Sequence, residues 1–278
     1  MNVVKLFADD VKVYLQIAAA DDVTKLQYAL DLITQWADEW QLGLSIAKCN
    51  TLSIGKTPVD AQFHIHDTEL PQLSHCRDLE VVITYDLSCS LHTQQICVKA
   101  HQGANSILRC FMSGNVKLLL RAFIVYVRPM LEYNSVIWSP HLKCNIERIE
   151  KVQRQFTKWL YGFKHLCYEE RLTKLNSGSR VLNSGDCTLD LKYCYKIVFG
   201  LVTLNMTDFF RVFTVYRPES YKLYKPRSDC TVRVNFFAKR VINAWNNLLT
   251  SVSFTSLPAF SRTIRSVDFR NFLKCNSC

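Results

Sequence analysis

Apolar residues along this chain change their spacing near Leu87, and that change restricts the fold more than any other feature. Before it they fall in short runs rich in Val, Ile and Leu, separated by turn-forming residues. After it they recur every three or four positions, the period of an α-helix with one buried face. The chain is therefore expected to be α+β, with strands gathered at one end and helices at the other.

In the first part, Val3 to Phe7 and Val11 to Ile17 read as two strands joined across Ala8, Asp9 and Asp10, a hairpin with carboxylates at its tip. From Asp22, the residues Val23, Leu26, Leu30, Ile33, Ala37 and Trp40 keep helical spacing, and Asp21 or Asp22 can cap the start. Leu42 to Ile46, Thr51 to Ile54, Gln62 to His66 and Leu79 to Ile83 read as short strands, divided by Pro58, Asp60, Asp67 and Pro71. His64 and His66 would share a strand face. With no carboxylate or thiol at ligand spacing they read as surface or internally satisfied residues.

Beyond Leu87 the spacing predicts helices over Ser90 to Met112, Val116 to Tyr126 and Asn145 to Leu160, with Gly114, Pro129 and Pro140 as breaks. Residues 178–185 lose the period and read as a loop, and Leu189 to Leu204 and Asn235 to Leu248 offer two further helices.

Charge divides at the same place. Residues 1–90 hold 6 Lys/Arg against 13 Asp/Glu, whereas residues 91–278 hold 28 against 11, within an overall net charge of +10. An acidic segment suits a cation, and a long basic one suits a polyanion, because a cation placed on a phosphate releases condensed counterions. Charge alone does not separate nucleic acid from an anionic membrane surface.

Other classes are set aside on composition. Asp9 and Asp10 interrupt any secretory leader, and Leu118 to Leu131 is too short and too charged, through Arg121 and Arg128, to span a bilayer. An intracellular protein, cytoplasmic or nuclear and without a membrane partner, is expected. Its 12 cysteines are scattered and read as reduced thiols. Cys275 and Cys278 form a CxxC without a second pair, two ligands where a closed zinc site needs four, and read as a frayed tail.

Chemistry is expected at Phe7-Ala8-Asp9-Asp10. Adjacent carboxylates on a tight turn can offer oxygen ligands to a hard divalent ion, and paired ions of that kind serve phosphoryl transfer. Two ordinary turn residues would look the same.

That tetrapeptide lies within a longer series. LFADDVKVY, QWADEWQLGLSIAKCNTLSIGK, CRDLEVVITYDLS, KAHQGANSILRCF, AFIVYVRPMLEYNSVIWSPHL, IERIEKVQRQFTKW, DLKYCYKIVFGLV, YKLYKPR and FFAKRVINAWNNL follow one another from about Val3 to Leu273. In this order they resemble the C-terminal part of non-LTR retrotransposon reverse transcriptases.

The resemblance implies a partial polymerase palm over 1–88, a helical thumb-like domain over 89–175 and a basic C-terminal extension over 176–278. It implies RNA-directed DNA polymerisation with magnesium on an RNA or DNA template-primer. FADD resembles the catalytic hairpin, which makes Asp9 and Asp10 two of the family's three metal-binding aspartates and sets Phe7 where Tyr is commoner. IAKC resembles the next palm motif, whose lysine is Lys48, a candidate charge or proton donor to the incoming triphosphate; a solvated strand-end lysine is its other reading. CRDLEVVI resembles the primer-grip hairpin with Glu80 in place of the usual Gly, a bulky anion where a backbone approaches DNA. The family's third aspartate, fingers and nucleotide pocket lie well upstream of this hairpin. Only eight residues precede Asp9, so the isolated chain is expected to lack polymerase activity. Residues 175–188 also depart from the family pattern.

In the basic half, Lys151, Arg154 and Lys158 sit at i, i+3 and i+7 opposite an apolar stripe of Ile149, Val152 and Phe156. They can track phosphates or simply form a solvated face. Tyr221, Lys222, Tyr224, Lys225 and Arg227, continuing to Arg233, interleave rings with cations, which suits stacking plus phosphate pairing. A β-ladder with both tyrosines on the core gives the same alternation. Trp138, Trp159 and Trp245 read as core or interface anchors. The functional expectation is a truncated reverse transcriptase inactive in isolation, with a domesticated nucleic-acid-binding or interaction module as the alternative.

Overall fold

The computed structural model describes residues 3–55, 61–111, 114–175, 187–212, 221–248, 251–267 and 269. The chain divides into two compact units, Met1–Ser88 and Cys89–Cys278. Helices and strands are both present, and each sheet among the described residues is a two-stranded antiparallel ladder. Residues 178–185 and the Cys275/Cys278 pair lie outside the described residues.

In the first unit, strands β1 (Val3–Phe7) and β2 (Asp10–Tyr14) pair from Val3↔Tyr14 to Phe7↔Asp10. Helix α1 (Ala20–Glu39) begins where Asp22 turns back and accepts from the backbone N–H groups of Ala18 and Ala19 at 3.0 and 3.1 Å. A carboxylate in the first turn satisfies donors that the helix leaves unpaired and complements its dipole. Val23, Leu26 and Leu30 pack on Phe63, Ile65 and Leu70 around β3 (His64–Ile65) and β4 (Thr68–Glu69). Gln27 fixes that contact by exchanging two hydrogen bonds with the His64 backbone, at 2.9 and 3.0 Å. A second hairpin, β5 (His75–Asp78) and β6 (Val81–Thr84), completes the unit.

Two expected strands do not form. Leu42 to Ile46 leads instead into a 3-10 turn over Ile46–Lys48, and Thr51 to Ile54 makes one parallel bridge, Thr51↔Gln72. Both segments have β-prone composition but no neighbouring edge in register, and strand preference is realised only through cross-strand partners. His66 leaves the strand at a left-handed φ of 50°, so it does not share a face with His64.

In the second unit, α2 (Ser90–Cys110) packs against α6 (Lys143–Lys158). Ile96, Ala100, Ala104 and Ile107 of α2 and Ile146, Ile149, Val152 and Phe156 of α6 are all buried. Asn145 Nδ2 donates to Ser90 Oγ at 2.9 Å and joins the two N-terminal ends. Helical structure runs over α3 (Val116–Ala122), a π turn (Phe123–Val127) and α4 (Arg128–Glu132), so Pro129 does not end it. A proline inside a helix lacks a donor and crowds the carbonyl four residues earlier; the widened turn just before it relieves both. Phe123 in that turn stacks on Phe156 with centroids 4.4 Å apart.

After α5 (Ser135–Trp138) and α7 (Tyr168–Lys174), a second core forms. It lies among α8 (Cys187–Val198), α11 (Phe237–Asn246) and α12 (Leu257–Thr263), with Leu191, Ile197, Val241, Ile242 and Phe260 fully enclosed. Short elements α9 (Met206–Phe209), β7 (Arg211–Val212), β8 (Leu223–Tyr224) and α10 (Thr231–Asn235) edge it. The helix expected over Leu189 to Leu204 stops at Val198, and Gly200 adopts φ 65°, a chain reversal that only glycine takes freely. Among the described residues no helix is long and apolar enough to cross a membrane.

Candidate functional site

The acidic hairpin has a two-residue turn, Ala8 and Asp9, closed by the Phe7↔Asp10 rung. Ala8 takes φ 51°, the positive φ that a tight hairpin needs to match the twist of its strands. Asp10 is therefore the first residue of β2, and Asp9 alone occupies the turn with Ala8. Both carboxylates are exposed, as is Phe7. Among the described residues neither carboxylate has an ion-pair or hydrogen-bond partner. Lys12 of β2 forms an ion pair with Asp78 of β5, which fastens this hairpin to the second one.

Whether these residues fit a magnesium ion is a question of ligand count. Among the described residues no group of three or more His, Cys, Asp and Glu side chains could hold a metal ion. Magnesium takes six oxygens in near-octahedral geometry, keeps several waters and is commonly held by one or two carboxylates together with substrate phosphates. Asp9 and Asp10 offer two carboxylates, and no third metal-ligating side chain joins them among the described residues.

Lys48 is exposed at the end of the Ile46–Lys48 turn. Glu80 shares with Leu79 the two-residue turn between β5 and β6, at φ values of 66° and 43°. A turn left-handed at both central positions is the kind that favours Asn-Gly, so Glu80 stands where glycine fits best. His66 Nε2 lies 3.7 Å from Asp38 Oδ2, a single carboxylate contact and not a ligand set.

The basic residues are better organised. Helix α6 buries Ile146, Ile149, Val152 and Phe156 and exposes Lys143, Arg148, Lys151, Arg154 and Lys158. One carboxylate, Glu147, shares the exposed face, 3.8 Å from Lys143 at its N-terminal end. Its other carboxylate, Glu150, faces inward, accepts a hydrogen bond from the Tyr168 hydroxyl and is buried. Burial pushes the Glu150 carboxyl up to about 7, opposed by the Tyr168 hydrogen bond and the Arg154 charge. Gln153 Nε2 donates to the same hydroxyl at 3.0 Å, and the Arg154 guanidinium lies 5.0 Å from the Tyr168 ring. The ring contact engages the Arg154 guanidinium itself, on a residue that stays exposed.

The segment from Tyr221 to Arg227 is held by Asn246, whose side chain accepts from Leu223 N–H at 2.9 Å and donates to Leu223 C=O at 2.8 Å. Leu223 is fully buried and the flanking Lys222, Tyr224, Lys225 and Arg227 are exposed. The core-facing residue of this alternation is the leucine between the tyrosines. Tyr221 is half-exposed and also leans on Phe199 and Phe254, at 5.1 and 5.2 Å. Lys225 Nζ donates to Asn243 Oδ1 at 3.1 Å, and Arg233 is exposed on α10.

Trp138 and Trp245 are core residues, 5% and 3% exposed, but Trp159 is 66% exposed, and Tyr161 beside it is 82% exposed. Sequence reading missed Arg148 and Tyr161 and left Trp159 open between core and interface, of which the structure excludes the core. Arg148 was legible, since it lies three residues before Lys151 on the same face. The two rings were not, because α6 ends at Lys158 and the helical period stops there.

No protein-family model matches this chain, and no solved structure matches it. It is similar to the uncharacterized protein B0403.1 of Caenorhabditis elegans, 27% identical over 105 residues, which are 37% of this chain and 53% of that protein. The chain thus spans about half the length of the curated relative it matches.

Proposed function

We propose that this chain is a portion of a non-LTR retrotransposon reverse transcriptase that, as an isolated polypeptide, holds nucleic acid and does not extend a primer. The observation that carries the reading is the exposed face of α6, with five cations and one carboxylate along 16 residues, in a unit with a large excess of Lys and Arg. A line of cations on a rigid helix pairs with successive phosphates without reading bases. The Asp9–Asp10 hairpin, with its two exposed carboxylates, supports the polymerase ancestry.

Two assays on the full chain test this. In the first, binding to a fluorescein-labelled single strand is followed by anisotropy across sodium chloride concentrations, and it is expected to weaken steeply with salt. In the second, primer extension on an RNA template with magnesium is compared with Asp9→Ala and Asp10→Ala. No carboxylate-dependent extension is expected. Extension that either substitution abolishes contradicts the non-catalytic part, and failure to bind any oligonucleotide contradicts the rest. The exposed cationic face of α6 also fits a second reading, a domesticated module that uses the basic face alone. Binding that ignores both magnesium and the two substitutions speaks for it.

A further inference from the structure

Helix α6 ends in an unusual way for its composition. Trp159 follows directly on Lys158 and is two-thirds exposed, Leu160 turns inward, Tyr161 projects almost wholly into solvent, and Phe163 is buried again. Gly162, at φ 78°, supplies the left-handed step that separates the two directions. Backbone hydrogen bonds from Phe163 to Leu160 at 3.1 Å and from Leu166 to Phe163 at 3.2 Å hold the turn. Among the described residues neither the Trp159 nor the Tyr161 ring stacks on another ring. Two large π surfaces are thus offered to solvent on a fixed backbone, at the end of a cationic track about 22 Å long.

We infer that Trp159 and Tyr161 form a base-stacking platform for single-stranded nucleic acid, with Lys151, Arg154 and Lys158 of α6 and the exposed Lys164 beyond the turn as its phosphate contacts. This deepens the reading above and rests on it. Ring faces accept any base, but only when the base is free of its own stack, so the platform selects single strands over duplex. Preorganised rings lose little side-chain freedom on binding, and an adjacent cation pairs with the phosphate that each stacked nucleotide brings.

An anionic membrane is the competing occupant, because Trp, Tyr and Lys also gather at lipid interfaces. Two features argue against it. Three of the four cations lie in a line along one helix, as successive phosphates require. The other apolar members of the turn, Leu160 and Phe163, are buried, which leaves no aliphatic wedge for acyl chains.

The test uses the full chain and three probes: a fluorescein-labelled single strand, the same sequence as duplex, and phosphatidylserine-containing vesicles. Trp159→Ala/Tyr161→Ala is expected to weaken single-strand binding about 10-fold or more, since stacked bases contribute strongly. It is expected to leave the duplex and the salt slope unchanged, while Trp159→Phe/Tyr161→Phe restores most of the binding. Both residues are exposed, so the variants should keep the wild-type melting temperature. Single-strand binding unchanged in the double Ala variant overturns the platform while leaving the cationic reading standing. Loss of vesicle binding without loss of oligonucleotide binding overturns it in favour of a membrane. A wild-type chain that binds no nucleic acid overturns both readings.

Discussion

Arg240 on α11 grips both carboxylate oxygens of Asp190 on α8, with Nε donating at 2.7 Å to Oδ2 and a terminal nitrogen at 2.8 Å to Oδ1. The same guanidinium donates to the backbone carbonyls of Val136 at 2.7 Å and Asn235 at 3.1 Å. One planar fork thereby joins α5, α8, α10 and α11. Both side chains are largely buried, and an enclosed charge left without its partner is costly. Arg240→Ala or Asp190→Ala is expected to destabilise the second unit by roughly 3–5 kcal/mol, read as a lower urea midpoint. A change under about 1 kcal/mol would mean that the pair behaves as a surface contact.

Glu150 gives the second unit a stability that depends on pH. Its carboxyl is raised from 4.5 to about 7 by burial, so the folded state binds the proton more tightly than the unfolded state. Stability from this group is complete below about pH 4.5 and declines as pH rises through about 7. The loss amounts to roughly 3 kcal/mol by linkage. Glu150→Gln, which keeps the shape without the charge, is expected to raise stability at pH 8 by about 2–3 kcal/mol and to change little at pH 4.5. Equal gains at both pH values would show that proton binding is not the cause.

The β5–β6 turn places Glu80 at φ 66°, where a side chain is strained by about 1–2 kcal/mol. Its ion pair with Arg77, 3.6 Å long and exposed, offsets little of this. Glu80→Gly is expected to stabilise the first unit by about 1 kcal/mol and to slow amide exchange in Val81–Thr84. Faster exchange would contradict the strain.

The helical unit was the more legible in sequence, because a 3.6-residue period over many turns specifies its own face; Ile146 to Phe156 were enough to place α6 and its cations. The strands were less so. Leu42 to Ile46 and Thr51 to Ile54 have β-prone residues, but a strand exists only with a partner, and partners are not local. Pro129 misled for another reason: the π turn that accommodates it is written in no single residue. The FADD hairpin was readable down to its turn, apart from the second strand's bounds, which are Asp10–Tyr14 where Val11 to Ile17 was expected. The Trp159 and Tyr161 surface was hidden because it begins where periodicity ends.

Removing the cations tests the account most directly. With Lys151→Ala/Arg154→Ala/Lys158→Ala, affinity for a single strand should fall, and the slope of log affinity against log salt should become shallower by about 2, near 0.7 per lost phosphate contact. The melting temperature should fall only slightly, since all three side chains are exposed and Arg154 gives up one ring contact, over Tyr168. A triple variant with the wild-type affinity and the wild-type slope would contradict the assignment of α6 as the nucleic-acid-binding face.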